Sequence, residues 1–239
     1  MNMQIIKVNE DIVRQDGSGG KLPVILWAAS SRQEEEGPEK LLAQLRQLPG
    51  GDRPFLLGIF RAEDWDRDFS PWPMDLGEGR HFSGGGPEVL RWLRETAVPG
   101  LEEEYPDHGS LYLAGYSLAG LFALWAFYES GIFRGAACCS GSLWFTGWDA
   151  WADAAQVPEG SLLYLSLGGK EPNSPDPVMA TIGTQYRRQE LRCRKDPRFA
   201  ASIYEMNSGG HFADSNKRLA KGLAWLLRED ARIGQKGDR

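Results

Sequence analysis

Short apolar runs, bounded by Gly, Pro and polar residues, recur along the chain. They are VILWAAS from Val24, FLLGIF from Phe55, SLYLAGYS from Ser110, GAACCSGS from Gly135, SLLYLSLG from Ser161 and ASIYEMN from Ala201. These runs are continuous rather than alternating, which is typical of strands buried on both faces of a parallel sheet. MQIIKV, from Met3 to Val8, is predicted to add a strand at one edge.

Segments with helical patterns lie between these runs. They are predicted at Glu39 to Leu48, Pro87 to Tyr105, Leu118 to Ser130, Pro177 to Cys193 and Asp214 to Asp230. Leucines give the last helix one apolar face, and Pro99 is expected to kink or split the second. Alternating strands and helices predict an α/β fold with a doubly wound, mostly parallel sheet and helices on both faces.

The length of 239 residues allows one large α/β domain whose core needs no disulfide or metal ion. The Gly-rich stretch from Ser83 to Gly86 is too short to separate domains, and no repeat or low-complexity segment is evident. The simplest interpretation is one domain over residues 1–239, with its core at about 22–230.

Charge argues against a nucleic acid partner, because the formal net charge is -6 and no long basic run is present to bind phosphates. The sequence contains no apolar stretch of about 18 residues that would span a bilayer. MNMQIIKVNED at the start lacks the features of a signal peptide. We therefore expect a soluble, cytoplasmic protein that does not bind membranes.

The three cysteines cannot all pair with one another, and Cys138 and Cys139 are adjacent in a predicted buried strand. Packing is their simplest role, and a vicinal redox pair is the alternative. No further Cys or His lies at C-x-x-C or metal-ligand spacing, so no metal ion or cofactor is expected.

A polar residue interrupts the apolar stretch AGYSLAGLFALW at residues 114–125. The predicted strand ends at Ser117, and a helix begins at once at Leu118. A turn this tight leaves no room for Cβ atoms beside the serine, so small residues are required two positions before and two after it. Gly115 and Ala119 meet this requirement.

Ser117 on this turn is a candidate nucleophile. Its Oγ would lie above the carboxyl ends of the strands, where open α/β sheets bind ligands. The Leu118 N–H would point at an oxyanion formed there, with the helix dipole adding to its effect. The alternative is a serine that only caps the helix, since Ser is a favoured N-cap residue.

A nucleophilic serine needs a base, and three histidines are available. His81 lies in a Gly-rich loop, and His108 lies in the turn before the strand that leads to Ser117. His211 follows the last predicted strand, in NSGGHFADS, as the chain order Ser, acid, His requires. A surface loop histidine is the alternative.

The acid should follow a strand between Ser117 and His211. In LYLSLGGKEPNSPDP, Glu171 lies three residues into the turn after the strand, and Asp176 lies five residues further on. We select Glu171, with Asp176 left open. Its carboxylate would accept the His211 Nδ1–H, so that Nε2 can take the proton from Ser117. A solvated turn carboxylate is the other interpretation.

Four segments resemble the esterase family of the α/β-hydrolase superfamily, which includes S-formylglutathione hydrolases, feruloyl esterases, siderophore esterases and mycolyltransferases. They are DWDRDFSPWP from Asp64, GYSLAGLFALWAFYESGIFRGAACCSGSLWF from Gly115, LSLGGKEPNSPDPVM from Leu165 and GGHF from Gly209. The resemblance implies an α/β-hydrolase fold and hydrolysis of a carboxylic ester or thioester, with Ser117, His211 and Glu171 as the triad. Ala119 departs from the usual glycine, and the missing lid insertion argues against long lipid substrates.

The usual arrangement of this fold implies a second oxyanion donor after the strand from Val24, and we assign the backbone N–H of Ala29. Aromatic residues in loops at the carboxyl ends of the strands are candidates for a substrate surface. The predicted substrate contacts are Trp65, Trp72, Tyr116, Trp144 and Arg61. Loop packing is the alternative for the tryptophans, and an ion pair with Asp64 or Asp68 for Arg61.

The predicted function is that of a cofactor-free serine esterase that acts on a small-molecule ester through an acyl-enzyme. Transfer of the same acyl group to a sugar or another alcohol is one alternative. A hydrolase-fold protein that binds a ligand without catalysis is another. Aryl esters, acylated sugars and catecholate siderophores fit the sequence equally well.

Overall fold

The computed structural model describes residues 1–9, 21–30, 38–77 and 79–237. Its strands are Met3–Val8 (β1), Val24–Ala29 (β2), Phe55–Arg61 (β3), Pro73–Gly77 (β4), Arg80–Ser83 (β5), Leu111–Tyr116 (β6), Gly135–Cys139 (β7), Ser161–Gly168 (β8) and Phe199–Asn207 (β9). Its α-helices are Pro38–Leu45 (α1), Trp65–Asp68 (α2), Gly86–Trp92 (α3), Val98–Glu104 (α4), Leu118–Ser130 (α5), Trp148–Ala154 (α6), Ile182–Lys195 (α7) and Ser215–Gly237 (α8).

Seven of these strands form one sheet in the order β1-β3-β2-β6-β7-β8-β9. β1 is antiparallel to β3, and the other neighbours pair in parallel. This confirms the predicted mostly parallel sheet and the edge strand at Met3–Val8. The carboxyl ends of the parallel strands therefore meet at one edge of the sheet, where a site can be assembled.

Successive side chains of each central strand enter two different cores, one on each face of the sheet. In β2, Leu26 and Ala28 pack in the core that contains α5, whereas Ile25 and Trp27 pack in the core beneath α1 and α8. Both faces are thus covered by helices, which explains why the central strands are apolar throughout. Cys138 and Cys139 of β7 enter opposite cores, where both are buried and free, so packing accounts for them.

β9 differs from the prediction that it is buried on both faces. It pairs with β8 alone and forms the other edge of the sheet, so parts of it face solvent. Met206, for example, is 52% exposed.

The helix predicted from Pro87 to Tyr105 changes type instead of breaking. A π-helical segment, Leu93–Ala97, joins α3 to α4. Pro99 lacks an N–H to donate to the carbonyl four residues back, and the shift in hydrogen bonding falls in the turn before it.

Two further differences concern the loops above the sheet. The β4–β5 hairpin and the short helix α2 lie where the sequence predicts a loop, and the helix predicted from Pro177 begins at Ile182 after a 3-10 turn. Of the helices that the structure describes, none combines the length and apolarity needed to cross a membrane.

Candidate active site

Ser117 occupies a strained turn between β6 and α5. Its backbone angles are φ 61° and ψ −126°, a region that costs a non-glycine residue about 1–3 kcal/mol. Hydrogen bonds hold the turn in place: the Ser117 N–H donates to Cys139 O at 3.1 Å, and Ser117 O accepts from Ser142 N at 3.1 Å. The conformation lifts Oγ away from the helix, and no capping hydrogen bond from this side chain is found.

Gly115 is required by close contact with the first turn of α5. A Cβ at this position would lie 2.2 Å from the Ala119 carbonyl oxygen and 2.8 Å from the Gly120 nitrogen. Both are backbone atoms that cannot turn aside, so the steric requirement predicted from the sequence is present in the structure.

Replacing Gly115 with Ala is expected to lower the free energy of unfolding by about 1–3 kcal/mol, the usual cost of overpacking. The turn that carries Ser117 would be displaced at the same time. Urea unfolding followed by circular dichroism measures the change. Gly100→Ala is the matched control, because a Cβ on Gly100 in α4 meets nothing within 4 Å. Equal stability of the two variants would contradict the steric argument.

Ser117, His211 and Glu171 are joined by a continuous chain of hydrogen bonds. His211, in the loop between β9 and α8, places Nε2 2.9 Å from Ser117 Oγ and Nδ1 2.8 Å from Glu171 Oε2. Glu171 begins a 3-10 turn after β8, and the Lys170 N–H donates to Gly209 O at 3.0 Å, which ties the two loops together. The geometry suits transfer of the serine proton to a histidine oriented by a carboxylate.

The other candidates for base and acid lie away from Ser117. His81 is exposed on β5, and His108 contacts the Gly109 carbonyl in the turn before β6. Asp176 Oδ1 accepts the N–H groups of Val178 and Met179, and its Oδ2 pairs with Arg80. The structure thus brings Glu171, and not Asp176, to the histidine.

Glu171 is a buried carboxylate in a site rich in donors. Burial alone would raise its pKa. Hydrogen bonds from His211, Ser140 and the Gly168 N–H, together with the charge on His211, outweigh burial and lower the pKa of Glu171. Ser140 Oγ and Gly168 N both lie 2.7 Å from Oε1, so Oε2 is left for His211. The carboxylate is therefore ionised near neutral pH.

Arg218 is a member of this site that the sequence analysis missed. Its Nη1 lies 3.1 Å from Glu171 Oε1, and its side chain is only 2% exposed. Its position in the helix could have predicted its burial. Arg218 lies one turn before Gly222 and two turns before Leu226, and both are buried on the side of α8 that faces the sheet. An isolated arginine in an amphipathic helix is usually solvated, and this one is not.

Tyr116, predicted as a substrate contact, supports the histidine loop instead. Its hydroxyl donates to the His211 carbonyl oxygen at 2.6 Å and accepts from Arg218 Nη1 at 3.0 Å. The residue is 6% exposed, and burial raises the pKa of its phenol to about 12. Tyr116 therefore acts on the position of His211 from below the site.

A cavity of about 350 Å³ opens beside Ser117 Oγ. Its lining consists of Ser117, Ser140, Ser142, Trp144, Glu171, Ser174, Met179, Ile182, His211 and Phe212. Of the predicted substrate contacts, Trp144 is brought to this cavity. Phe212 was not predicted; it is 88% exposed and packs edge-on against the His211 ring at the rim.

The remaining predicted contacts lie elsewhere. Trp72 donates from Nε1 to Thr146 O at 2.8 Å and packs against Phe145, so it holds two loops together. Trp65 packs edge-on against Phe69 at 5.1 Å. Arg61, at the end of β3, lines a separate cavity beside β1 and β2. Loop packing, the alternative weighed for the tryptophans, describes Trp65 and Trp72.

The two predicted oxyanion donors differ in how far the structure supports them. Leu118 is the first residue of α5, next to Ser117, and the first N–H groups of a helix have no partner within the helix. Ala29 ends β2, and residues 31–37, which follow it after Ser30, lie outside the described residues. The role of Ala29 stays a prediction. Within the described ranges, no three His, Cys, Asp or Glu side chains group as a metal site needs.

No protein-family model matches the sequence, and no curated protein matches it. Solved structures with the same fold do match. A siderophore hydrolase, EstB from Aspergillus nidulans, aligns with a TM-score of 0.69 at 17% identity over 94% of this chain and 89% of its own. An IroE-like serine hydrolase from Shewanella oneidensis aligns with a TM-score of 0.68 at 15% identity, over 95% and 80%.

A ferulic acid esterase aligns with a TM-score of 0.55 at 9% identity, over 95% of this chain and 98% of its own. Identities this low establish likeness of fold and leave the activity to be argued from the site. The sheet order, the strained serine turn and these alignments together give this chain the α/β-hydrolase fold that the three solved proteins share.

Proposed function

We propose that the protein is a serine esterase that hydrolyses a small ester through an acyl-enzyme. The observation that carries the proposal is the chain of hydrogen bonds from Ser117 through His211 to an ionised Glu171, at the wall of an open cavity. The names of the structural neighbours, a siderophore hydrolase and a ferulic acid esterase among them, support an ester as the substrate.

In the first half of the reaction, His211 Nε2 takes the Ser117 proton while Oγ attacks the ester carbonyl. The oxyanion forms beside the Leu118 N–H at the positive end of α5, which stabilises it. Collapse of this intermediate breaks the ester C–O bond, and the imidazolium gives its proton to the departing alcohol. In the second half, water attacks the acyl-enzyme with His211 again as base, and the acid leaves as Ser117 is regenerated.

The cavity lining favours a small, uncharged acyl group. Ser142 and Ser174 offer hydroxyls, and Trp144, Met179 and Ile182 offer apolar surface. Among the described lining residues there is no lysine or arginine to neutralise an anionic substrate. Its volume of about 350 Å³ is near the lower end for small-molecule sites, which span about 300–1,000 Å³.

The test is a series of p-nitrophenyl esters from acetate to octanoate, combined with a fluorophosphonate probe. Short esters are expected to turn over, and the dependence of kcat/KM on chain length measures how much of the cavity the acyl group fills. The probe is expected to add its phosphonyl group to Ser117 Oγ, and peptide mass spectrometry locates the adduct. Folded protein that neither hydrolyses any ester nor takes up the probe would instead favour a ligand-binding protein without catalysis.

A further inference from the structure

We propose that Arg218 is a positioning residue of the triad, with one guanidinium holding both Glu171 and the loop that carries His211. The inference rests on the proposed esterase function and adds to it a residue that does not touch substrate.

The Nη1 atom of Arg218 serves the acid. It lies 3.1 Å from Glu171 Oε1, 3.0 Å from Ser140 Oγ and 3.0 Å from the Tyr116 hydroxyl. Ser140 itself donates to Oε1, so the arginine contacts the carboxylate both directly and through the serine. These contacts fix Oε1, and rotation of the carboxylate away from His211 would break them.

The Nη2 atom serves the base. It donates to Ser208 O at 2.8 Å and to Gly210 O at 2.9 Å. These carbonyls lie on either side of Gly209, and Gly210 is the residue directly before His211. Gly209 has φ 85°, a conformation that glycine adopts without strain, so the loop turns sharply enough for both carbonyls to reach one nitrogen. Because the guanidinium is planar and rigid, it fixes the distance between this loop and Glu171.

This arrangement is a poor device for stability alone. The Arg218 side chain is 2% exposed, and among the described residues its Nε has no hydrogen-bond partner. Buried ion pairs are often no more stabilising than apolar side chains of similar volume, because both charges lose their hydration. Beyond packing, the arginine orients Glu171 and the loop of His211 and supplies a fixed positive charge.

Three tyrosines and one cysteine among the described residues near the acid stay neutral near neutral pH. They are Tyr116 on β6, Cys139 on β7, Tyr186 on α7 and Tyr204 on β9, and burial raises the pKa of each. Among the described residues in contact with Glu171, Arg218 thus supplies a fixed positive charge that favours the ionised carboxylate. Removing that charge makes the site more negative, so we expect the site to take up a proton at a higher pH.

Two variants test separately how Arg218 positions Glu171 and His211 and what its positive charge contributes. Arg218→Lys keeps the charge, but its single nitrogen cannot reach both the acid and the loop carbonyls. We expect kcat to fall by about 10- to 100-fold from misplaced groups, with KM for p-nitrophenyl acetate little changed and the acid limb of kcat/KM unmoved. Arg218→Met also removes the charge, and its acid limb is expected to shift upward by about one pH unit.

The matched control is Arg134→Lys, which alters an arginine that bonds Ser110 Oγ and Gly160 O away from the site. It is expected to keep wild-type kcat and pH profile. Folded Arg218→Lys with wild-type kcat, or folded Arg218→Met with an unshifted acid limb, would overturn the positioning role. A loss of melting temperature without these kinetic changes would also overturn it, since it would show a structural role only.

Failure of the proposed function is recognised separately. Wild-type protein that neither hydrolyses esters nor reacts with a fluorophosphonate would overturn the esterase assignment and the positioning role together. Active wild type beside unchanged variants would overturn the role of Arg218 alone. If Arg218→Met does not fold, Arg218→Lys still decides the case through its kcat.

Discussion

Replacing Ser117 with Ala is expected to lower kcat for p-nitrophenyl acetate by at least about 10³-fold, because the acyl-enzyme can no longer form. Alanine carries the same Cβ as serine, so the backbone at φ 61° has the same conformational strain in both proteins. The loss should therefore come from the missing Oγ and not from a collapsed turn. Initial-rate kinetics measure it, and melting temperatures check that the fold is retained.

The control for this variant is Ser130→Ala at the other end of α5. The Ser130 hydroxyl is buried without a partner among the described residues, so its removal leaves the site untouched. Near wild-type turnover by Ser117→Ala would show that this serine only shapes the start of the helix. An equal loss in both variants would point to disruption of α5.

Replacing Glu171 with Gln is expected to lower kcat by about 10⁴-fold, the cost seen when the acid of a triad becomes an amide. Three donors, from Ser140, Gly168 and Arg218, converge on the Oε1 position. The amide oxygen must occupy that place, which turns the NH₂ group towards His211 Nδ1. The amide then donates to Nδ1, so the proton moves to Nε2, and the histidine can no longer accept from Ser117.

Steady-state kinetics at several pH values measure this loss. Raising the pH is not expected to restore the tautomer of His211 that can accept the Ser117 proton. Glu205→Gln provides the control: this carboxylate on β9 bonds Tyr164 and Lys221 away from the cavity, and kcat near wild type is expected. If Glu171→Gln kept most of the activity, His211 would be oriented by its backbone alone and the acid assignment would fail.

The features that could be predicted from the sequence are those encoded locally. Strands buried on both faces are mostly apolar, so the parallel pairing of the main sheet and its edge strand Met3–Val8 could be predicted, whereas the edge position of β9 could not. Ser117 lies in a turn that needs a glycine at position 115, because a Cβ there would meet the Ala119 carbonyl. His211 and Glu171 each follow a predicted strand. The chain order of the fold then brings them to one edge of the sheet.

The features that escaped depend on which loop folds over which element. Trp65 and Trp72 lie in the right part of the chain, but they fill small cores between loops. Phe212 and Arg218 both follow His211 within seven residues, yet one is exposed at the rim and the other is buried beneath the acid. The local sequence around these residues does not distinguish them. Only their tertiary contacts decide whether a side chain packs between loops, lines the cavity or supports the acid.

The contacts that assemble the site join distant parts of the chain, so we expect the site to form late in folding. Ser117 and His211 are separated by 94 residues, and Tyr116 and Arg218 by 102. The chain must close these long loops before either contact gives any stabilisation, so contacts of this separation are slow to form. A nascent chain that lacks α8 would contain Ser117, Glu171 and His211 without the arginine that contacts both Glu171 and the loop of His211. Esterase activity recovered after refolding is therefore expected to report that α8 has docked against the sheet.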